Sequence, residues 1–387
     1  MPNICAAIVR RTHARLDVSE RSAIGTIALR AARLQRLLQR AQRPWTRYVE
    51  RRALERYSAL AGRLFAQLDR TGQGGLARAT PQITAALITR SDVAVLLVND
   101  LAAGPANQVL KLPLTAAACH STTLHRQVLA ELHAQPALRD FCTLVPQPLA
   151  WGVFEDQEYY LETALDGLAA SDLVRQDRTP AALKREAVWA IRKLHLSTAQ
   201  RRSVDALAFA KLAGDDLALL YRLGQHWPEP ALLRDKLQSV EALLRRRLIG
   251  SELPFGWVHG DFWPGNLLVR PAGELSGIID WDRALPGQLP LLDILHLFAY
   301  MRKMHRHIEL GEAIVEYLLP AAFDAEERAL MAESLAVYGL PADPEFLQAA
   351  TWLYWLRFAS ANLVRYPKFQ NDTFWLSRNV YTVLKRG

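Results

Sequence analysis

The chain has 387 residues, 50% of them apolar and 22% charged, which supports a large core and excludes wholesale disorder. Its net charge of +8 is unevenly spread: residues 1–80 hold 16 arginines, no lysine and five acids, so the remainder is slightly acidic. Charge confined to one end, with no base-reading motif beside it, is no argument for a nucleic-acid partner. Cys5, Cys119 and Cys142 are far apart and odd in number, which excludes a disulfide framework and any zinc-ligand spacing.

Residues 1–79 read as an arginine-rich helical extension. Ser19 caps a run in which Ile24, Ile27, Leu34, Leu37 and Leu38 recur at helical spacing, with Arg30, Arg33, Arg36 and Arg40 opposite. Pro44 should break it, and a second helix runs through Tyr48, Leu54, Tyr57, Leu60, Leu64 and Leu68 to a linker at Thr71–Gly75. The apolar stripe of the first helix needs a cover: the small lobe, a second subunit or a membrane surface. No window of 18 residues is uninterruptedly apolar, and the N-terminal arginines follow a short apolar stretch, the reverse of a secretory signal. A cytoplasmic protein is expected.

From residue 80 the period changes. Ile83–Ile88 and Val93–Val98 read as strands joined by a hairpin turn at Thr89–Asp92, which has no glycine. Gln108–Leu112, Leu149–Val153 and Glu158–Thr163 are further strands, with one helix from about Thr122 to Ala134. Past residue 170 helices dominate, among them Lys184–Leu196, Ala206–Leu223 and Pro230–Leu248. A strand–loop–strand element over Trp257–Asp282 interrupts them.

That element carries the chemistry. Asp261, Asn266 and Asp280 stand at the ends of apolar strands, which hold the polar loop rigidly. Two carboxylates and a carboxamide so placed suit phosphoryl transfer from a magnesium nucleotide: one carboxylate orients and deprotonates a hydroxyl, while the other two oxygens hold Mg²⁺ on the phosphates.

The sequence HGDFWPGN at 259–266, followed by IIDWD at 278–282, resembles the aminoglycoside phosphotransferase and choline kinase group, relatives of the protein kinases. The resemblance covers roughly residues 80–365. It implies an α+β, two-lobed protein-kinase-like fold: a small antiparallel-sheet lobe that binds the nucleotide, over 80–165, and a helical catalytic and acceptor-binding lobe over 166–387. It implies that Asp261 is catalytic, that Asn266 and Asp280 are magnesium ligands, and that His259 braces the loop. Asp293 would be structural, bonding back to the catalytic segment, and His195 a core histidine that steadies it.

By the same resemblance Lys111, in VLKLP, would meet the nucleotide phosphates. The family's glutamate partner for that lysine aligns with Gln127, so Glu131, one helical turn further on, is the expected partner. Backbone groups near Glu162 and Thr163 would bond the adenine edge, with Val109, Leu161 and Leu268 over its faces. The implied cofactors are ATP and Mg²⁺, and the implied partner is a small-molecule hydroxyl acceptor, an aminoglycoside, amino-alcohol, sugar or related metabolite. Tyr354, Trp355, Phe358, Asn362, Tyr366 and Trp375 are candidates to bind it; Asp324, Glu326, Glu327 and Glu333 are acids of the kind an aminoglycoside would call for, on a helical stretch that an ordinary solvated face explains equally well. The missing glycine loop leaves an alternative, a pseudokinase-like scaffold or nucleotide sensor without transferase activity.

Overall fold

A computed structural model of the protein describes residues 55–70, 81–89, 91–100, 108–175, 182–271 and 273–387. The expected helix through Ile24 to Leu38 and the linker at 71–75 lie outside the described residues. Residues 55–70 form helix α1, in which Tyr57, Ala61, Leu64, Phe65 and Leu68 fall on one face and are buried. They share a core with Leu96, Val98, Leu110, Leu112 and Leu161 of an antiparallel sheet. Its strands are β1 (Pro81–Ile88), β2 (Val93–Asp100), β3 (Gln108–Pro113), β4 (Pro148–Phe154) and β5 (Gln157–Thr163), in the order β1-β2-β3-β5-β4. On the outer side of α1, Arg63 donates twice to the Glu155 carboxylate, at 2.8 and 2.7 Å, and so ties the helix to the β4–β5 turn.

Helix α2 (Ala116–His133) starts earlier than its apolar pattern announces. The Thr115 side chain accepts from the Ala118 N–H at 3.3 Å and caps a first turn of small residues, which carry no periodic signal. In the larger lobe the described helices include α3 (Leu183–Thr198), α4 (Pro230–Leu248), α5 (Leu291–Arg306), α6 (Ala325–Tyr338) and α7 (Pro344–Arg365). Pro230 opens α4, where its missing N–H costs nothing. The helix expected over Ala206–Leu223 is instead broken by a π-helical turn at Ala210–Gly214.

The strand–loop–strand element is not one hairpin. β8 (Glu252–Val258) lies between β7 (Gln200–Ser203) and β11 (Leu285–Gln288). β9 (Leu267–Val269) lies in a different sheet, between β10 (Leu275–Ile278) and β6 (Leu168–Ala169). Residues 259–266 therefore span two sheets and are anchored at both ends. The architecture is the expected α+β, two-lobed one: a small sheet lobe above a large, mainly helical lobe.

Because Leu64 is 1% exposed and central to the small-lobe core, Leu64→Ala should lower the unfolding free energy by about 3 kcal/mol. Urea denaturation followed by tryptophan fluorescence measures this; a cost below about 0.5 kcal/mol would mean that α1 does not pack on the sheet in solution.

Candidate active site

The loop after β8 is fixed by one carboxylate from α5. Asp293 accepts from the backbone N–H of His259 at 2.7 Å and of Gly260 at 3.0 Å, and from His195 Nε2 at 3.1 Å. Gly260 has φ +76°, and a Cβ there would collide with the Arg283 carbonyl oxygen, so glycine is required. His259 is fully buried, with Nε2 donating to the Ile279 carbonyl at 3.0 Å and Nδ1 accepting from the Asp261 N–H at 3.3 Å. It bonds the loop to the end of β10. Ile279 in turn donates to the Asn266 carbonyl at 2.9 Å, which closes the connection between the two sheets.

Asp261, the expected catalytic residue, is held from several sides. Asn266 Nδ2 donates to its carbonyl at 2.9 Å and to Oδ2 at 3.2 Å. His296 Nε2 sits 3.3 Å from Oδ1, off the line of a hydrogen bond, and Arg283 Nη1 lies 4.0 Å from the same oxygen. Burial would raise the Asp261 carboxyl, but His296 and Arg283 outweigh it and hold it well below the usual carboxylate range. Asp280 is different. It accepts no hydrogen bond among the described residues, and enclosure between the lobes followed by repulsion from Asp282 pushes its carboxyl up.

Lys111, Asn266, Asp280 and Asp282 line one cleft of about 470 Å³ between the lobes. Val109 and Leu268 are on its walls, whereas Leu161 is wholly buried in the small-lobe core and offers no surface to a ligand. Thr89 and Ser91 line the cleft at the β1–β2 turn, their hydroxyls 3.0 Å apart, in the place expected for a glycine loop. Thr163 also lines it, but its N–H donates to the Gln147 carbonyl at 3.0 Å and its hydroxyl accepts from the Gln147 N–H at 2.9 Å. A second pocket of about 300 Å³ adjoins, lined by Gly260, Arg283, His296, Tyr354 and Phe358, and Asp282 is common to both.

The sequence of the chain matches the Phosphotransferase enzyme family over residues 91–331. The chain belongs to that family. A kinase-type phosphotransferase activity on a small molecule is what this membership supports. Among solved structures, the chain is similar to aminoglycoside phosphotransferase APH(3'')-Id from Streptomyces rimosus ATCC10970, at 19% identity over 77% of this chain and 98% of that one, TM-score 0.43. It is similar to a glucosamine kinase bound to glucosamine, ADP and inorganic phosphate, at 17% identity over 79% and 80%, TM-score 0.42. A search of curated proteins finds no match.

In this phosphotransferase the expected lysine partner is corrected. Glu131 is exposed on α2, and Lys111 pairs instead with Glu162 of β5, Nζ to Oε1 at 2.7 Å. Lys111 stands opposite Tyr160 across β3–β5, so Glu162 is its diagonal neighbour on the same face. His125, from α2, occupies the space between: its Nε2 donates to Glu162 Oε2 at 2.7 Å, and its Nδ1 accepts from the Trp281 N–H at 3.0 Å. Neither His125 nor His296 stood out in the sequence, since each is a lone histidine on a helix. Of the six acceptor candidates, only Tyr354 and Phe358 reach the second pocket. Trp355 is buried and donates to the Asn379 carbonyl at 2.9 Å, and Trp375 stacks on Phe369. The four acids do not gather at the site: Asp324, Glu326 and Glu327 surround Lys184, and Glu333 pairs with Arg192 at 2.7 Å.

Burial alone would raise the Glu162 carboxyl; Lys111 and His125 outweigh it and bring it to about 2, from 4.5. A depressed pKa contributes stability that is complete above 4.5 and is lost as pH falls toward 2. Glu162→Gln should therefore cost about 3 kcal/mol at pH 7. The gap in urea midpoint between it and the wild type should narrow below pH 4.5. A gap that does not change with pH would mean that the carboxylate charge contributes nothing.

Proposed function

We propose that the chain transfers the γ-phosphoryl group of ATP, as its magnesium complex, to a hydroxyl of a small molecule. The observation that carries this reading is that Asp261 is flanked by residues of both pockets. Asn266, on the interlobe cleft, donates to one of its carboxylate oxygens at 3.2 Å. His296 and Arg283, on the second pocket, flank the other at 3.3 and 4.0 Å. A nucleotide in the first space and an acceptor in the second would meet at this carboxylate.

The chain's own groups then have defined work. Lys111, oriented by Glu162, supplies a point charge for the phosphates, and the Thr89 and Ser91 hydroxyls offer hydrogen bonds at the turn above them. Asp261, kept ionised by its neighbours, orients the acceptor hydroxyl and takes up its proton as the new oxygen–phosphorus bond forms. Asn266 and Asp280 fit a magnesium site. The amide nitrogen of Asn266 is turned to Asp261, which leaves its carbonyl oxygen free of that bond, and the Asp280 carboxylate has no competing donor. Among the described residues there is no cluster of three or more histidine, cysteine or acidic ligands. A sparse oxygen set completed by phosphates and water is what magnesium takes. Bound there, the metal would neutralise phosphate charge.

Asp261→Asn should preserve folding and the rise in melting temperature produced by Mg-ATP, and should reduce transfer roughly 10²–10⁴-fold. Turnover within threefold of the wild type would remove Asp261 from the mechanism. Asp280→Ala should fail at a different stage: weaker Mg-ATP binding by calorimetry, with ATP alone bound as well or better because a repelling carboxylate is gone. Loss of ATP affinity regardless of magnesium would make Asp280 a folding residue. A wild-type protein that Mg-ATP does not stabilise would favour the scaffold reading.

A further inference from the structure

The second pocket says more about the acceptor than the aromatic helix does. Three guanidinium groups line it: Arg283 from the segment after Asp280, and Arg357 and Arg365 from α7, their side chains 21%, 25% and 29% exposed. Arg357 and Arg365 are each backed by a carboxylate: Arg357 Nε lies 3.2 Å from Asp216, outside the pocket, with its Nη2 donating to the Leu212 carbonyl at 3.0 Å, and Arg365 donates to Asp282, on the pocket wall, at 2.9 Å. Arg283 has no such support. Its side chain donates no hydrogen bond to any described residue, and the nearest acid is Asp261 at 4.0 Å.

The acids around the same space are already engaged. Asp293 accepts from two backbone N–H groups and His195, and Asp282 accepts from Ser121 and Arg365. Asp216 has Arg357 and Ser360. Asp261, where the acceptor hydroxyl would lie, keeps one oxygen without a hydrogen bond, but neither acid that lines the pocket, Asp282 or Asp293, is left over to receive an ammonium group, whereas guanidinium N–H groups are left over. Gln288 adds a buried amide oxygen without a hydrogen-bond partner, an acceptor for a ligand hydroxyl. Leu285, Leu292 and Phe358 give the remaining wall no charge at all.

We propose, resting on the phosphotransfer reading above, that the acceptor is a small hydroxylated acid: a molecule whose carboxylate or phosphate group docks on Arg283, Arg357 and Arg365 while its hydroxyl lies at Asp261. Planar guanidinium forks match both anions, often through two parallel hydrogen bonds. A polyamine would meet three guanidinium groups there, while the two lining carboxylates, Asp282 and Asp293, are already engaged.

The test uses the full chain and two matched sets of probes, glucuronate, glucose and glucosamine in one, and 3-phosphoglycerate, glycerate and glycerol in the other. Binding is measured by calorimetry with ADP and magnesium present, and transfer separately by ADP formation from Mg-ATP. The anionic members should bind at least about tenfold more tightly than their neutral or cationic counterparts. Comparison of glycerate with 3-phosphoglycerate tells carboxylate from phosphate. Arg357→Gln and Arg365→Gln should each remove about tenfold of that preference while ADP affinity holds, although both lose some melting temperature with the Asp216 and Asp282 pairs; Arg365→Lys should restore only part of the preference. Equal or tighter binding of glucose, glycerol or glucosamine, or binding of no probe at millimolar concentration, overturns the proposal. Acids that bind but are never phosphorylated support this inference and count against phosphotransfer. Glucosamine phosphorylated in preference to the acids does the opposite.

Discussion

The Asp293 carboxylate is the constraint on which the site depends. It is 1% exposed, and an ionised group so placed is tolerated only when its lone pairs are fully engaged. Burial pushes its pKa up, but His195 and the bonds at His259 outweigh that and hold it down, so the charge survives inside the protein. Two of its acceptor positions are spent on consecutive amides, His259 and Gly260. That pairing fixes the direction in which the chain leaves β8, and hence where Asp261 stands. Tyr338, donating to His195 Nδ1 at 2.6 Å, sets the tautomer that lets Nε2 donate to Asp293. The support for Asp261 therefore extends back through α5 and α3 to α6.

The two lobes are joined by polar contacts that converge on residues 280–283. His125 of α2 meets the Trp281 amide, and Ser121 of the same helix donates to Asp282, which also receives Arg365 from α7. All join elements far apart in sequence; the first is a buried neutral bond, and the two to Asp282 are part-buried and charge-assisted. They are stronger than the exposed Arg63–Glu155 pair, which solvent screens. Trp281 anchors the segment: it is fully buried, packs edge-on to Phe141 and against His259, and donates through its indole N–H to the Ile278 carbonyl at 2.8 Å. Lys111 is tied into the same arrangement through Glu162 and His125, so the lysine on the interlobe cleft and the Asp280 turn share one support.

Much of the fold was legible in the sequence because its signals are local. Period-two runs marked the strands, Pro230 marked the first turn of α4, and the density of oxygen ligands in 259–282 marked the site. What escaped depends on pairing between distant segments. Glu131 lies one helical turn beyond Gln127, where the family's lysine partner aligns, yet register between β3 and β5 decides the partner, and register is not written in either strand alone. Leu161 looked like a cleft residue for the same reason; its face of the sheet turned out to be the one covered by α1. The acids at 324–333 could be read from sequence as meeting an aminoglycoside or as a solvated helix face; in the fold each meets a cation on another helix. His296 and Arg283 gained their meaning only from the packing of α5 beside the loop.

Asp280 has φ +67°, a left-handed conformation that a non-glycine residue adopts at a cost of roughly 1 kcal/mol. The strain is held in place on both sides, by the Ile279 amide bonded to Asn266 and the Trp281 amide bonded to His125. The turn sends successive side chains in different directions. Asp280 faces the interlobe cleft, Trp281 enters the core, Asp282 forms the wall between the two spaces, and Arg283 lines the second pocket beside Asp261. A more relaxed backbone at Asp280 would redirect all four, so the interlobe cleft and the second pocket have a common mechanical origin. The geometry between a phosphate and a hydroxyl would then be set by one strained residue and the amides that hold it, rather than by the lobes closing independently on each ligand.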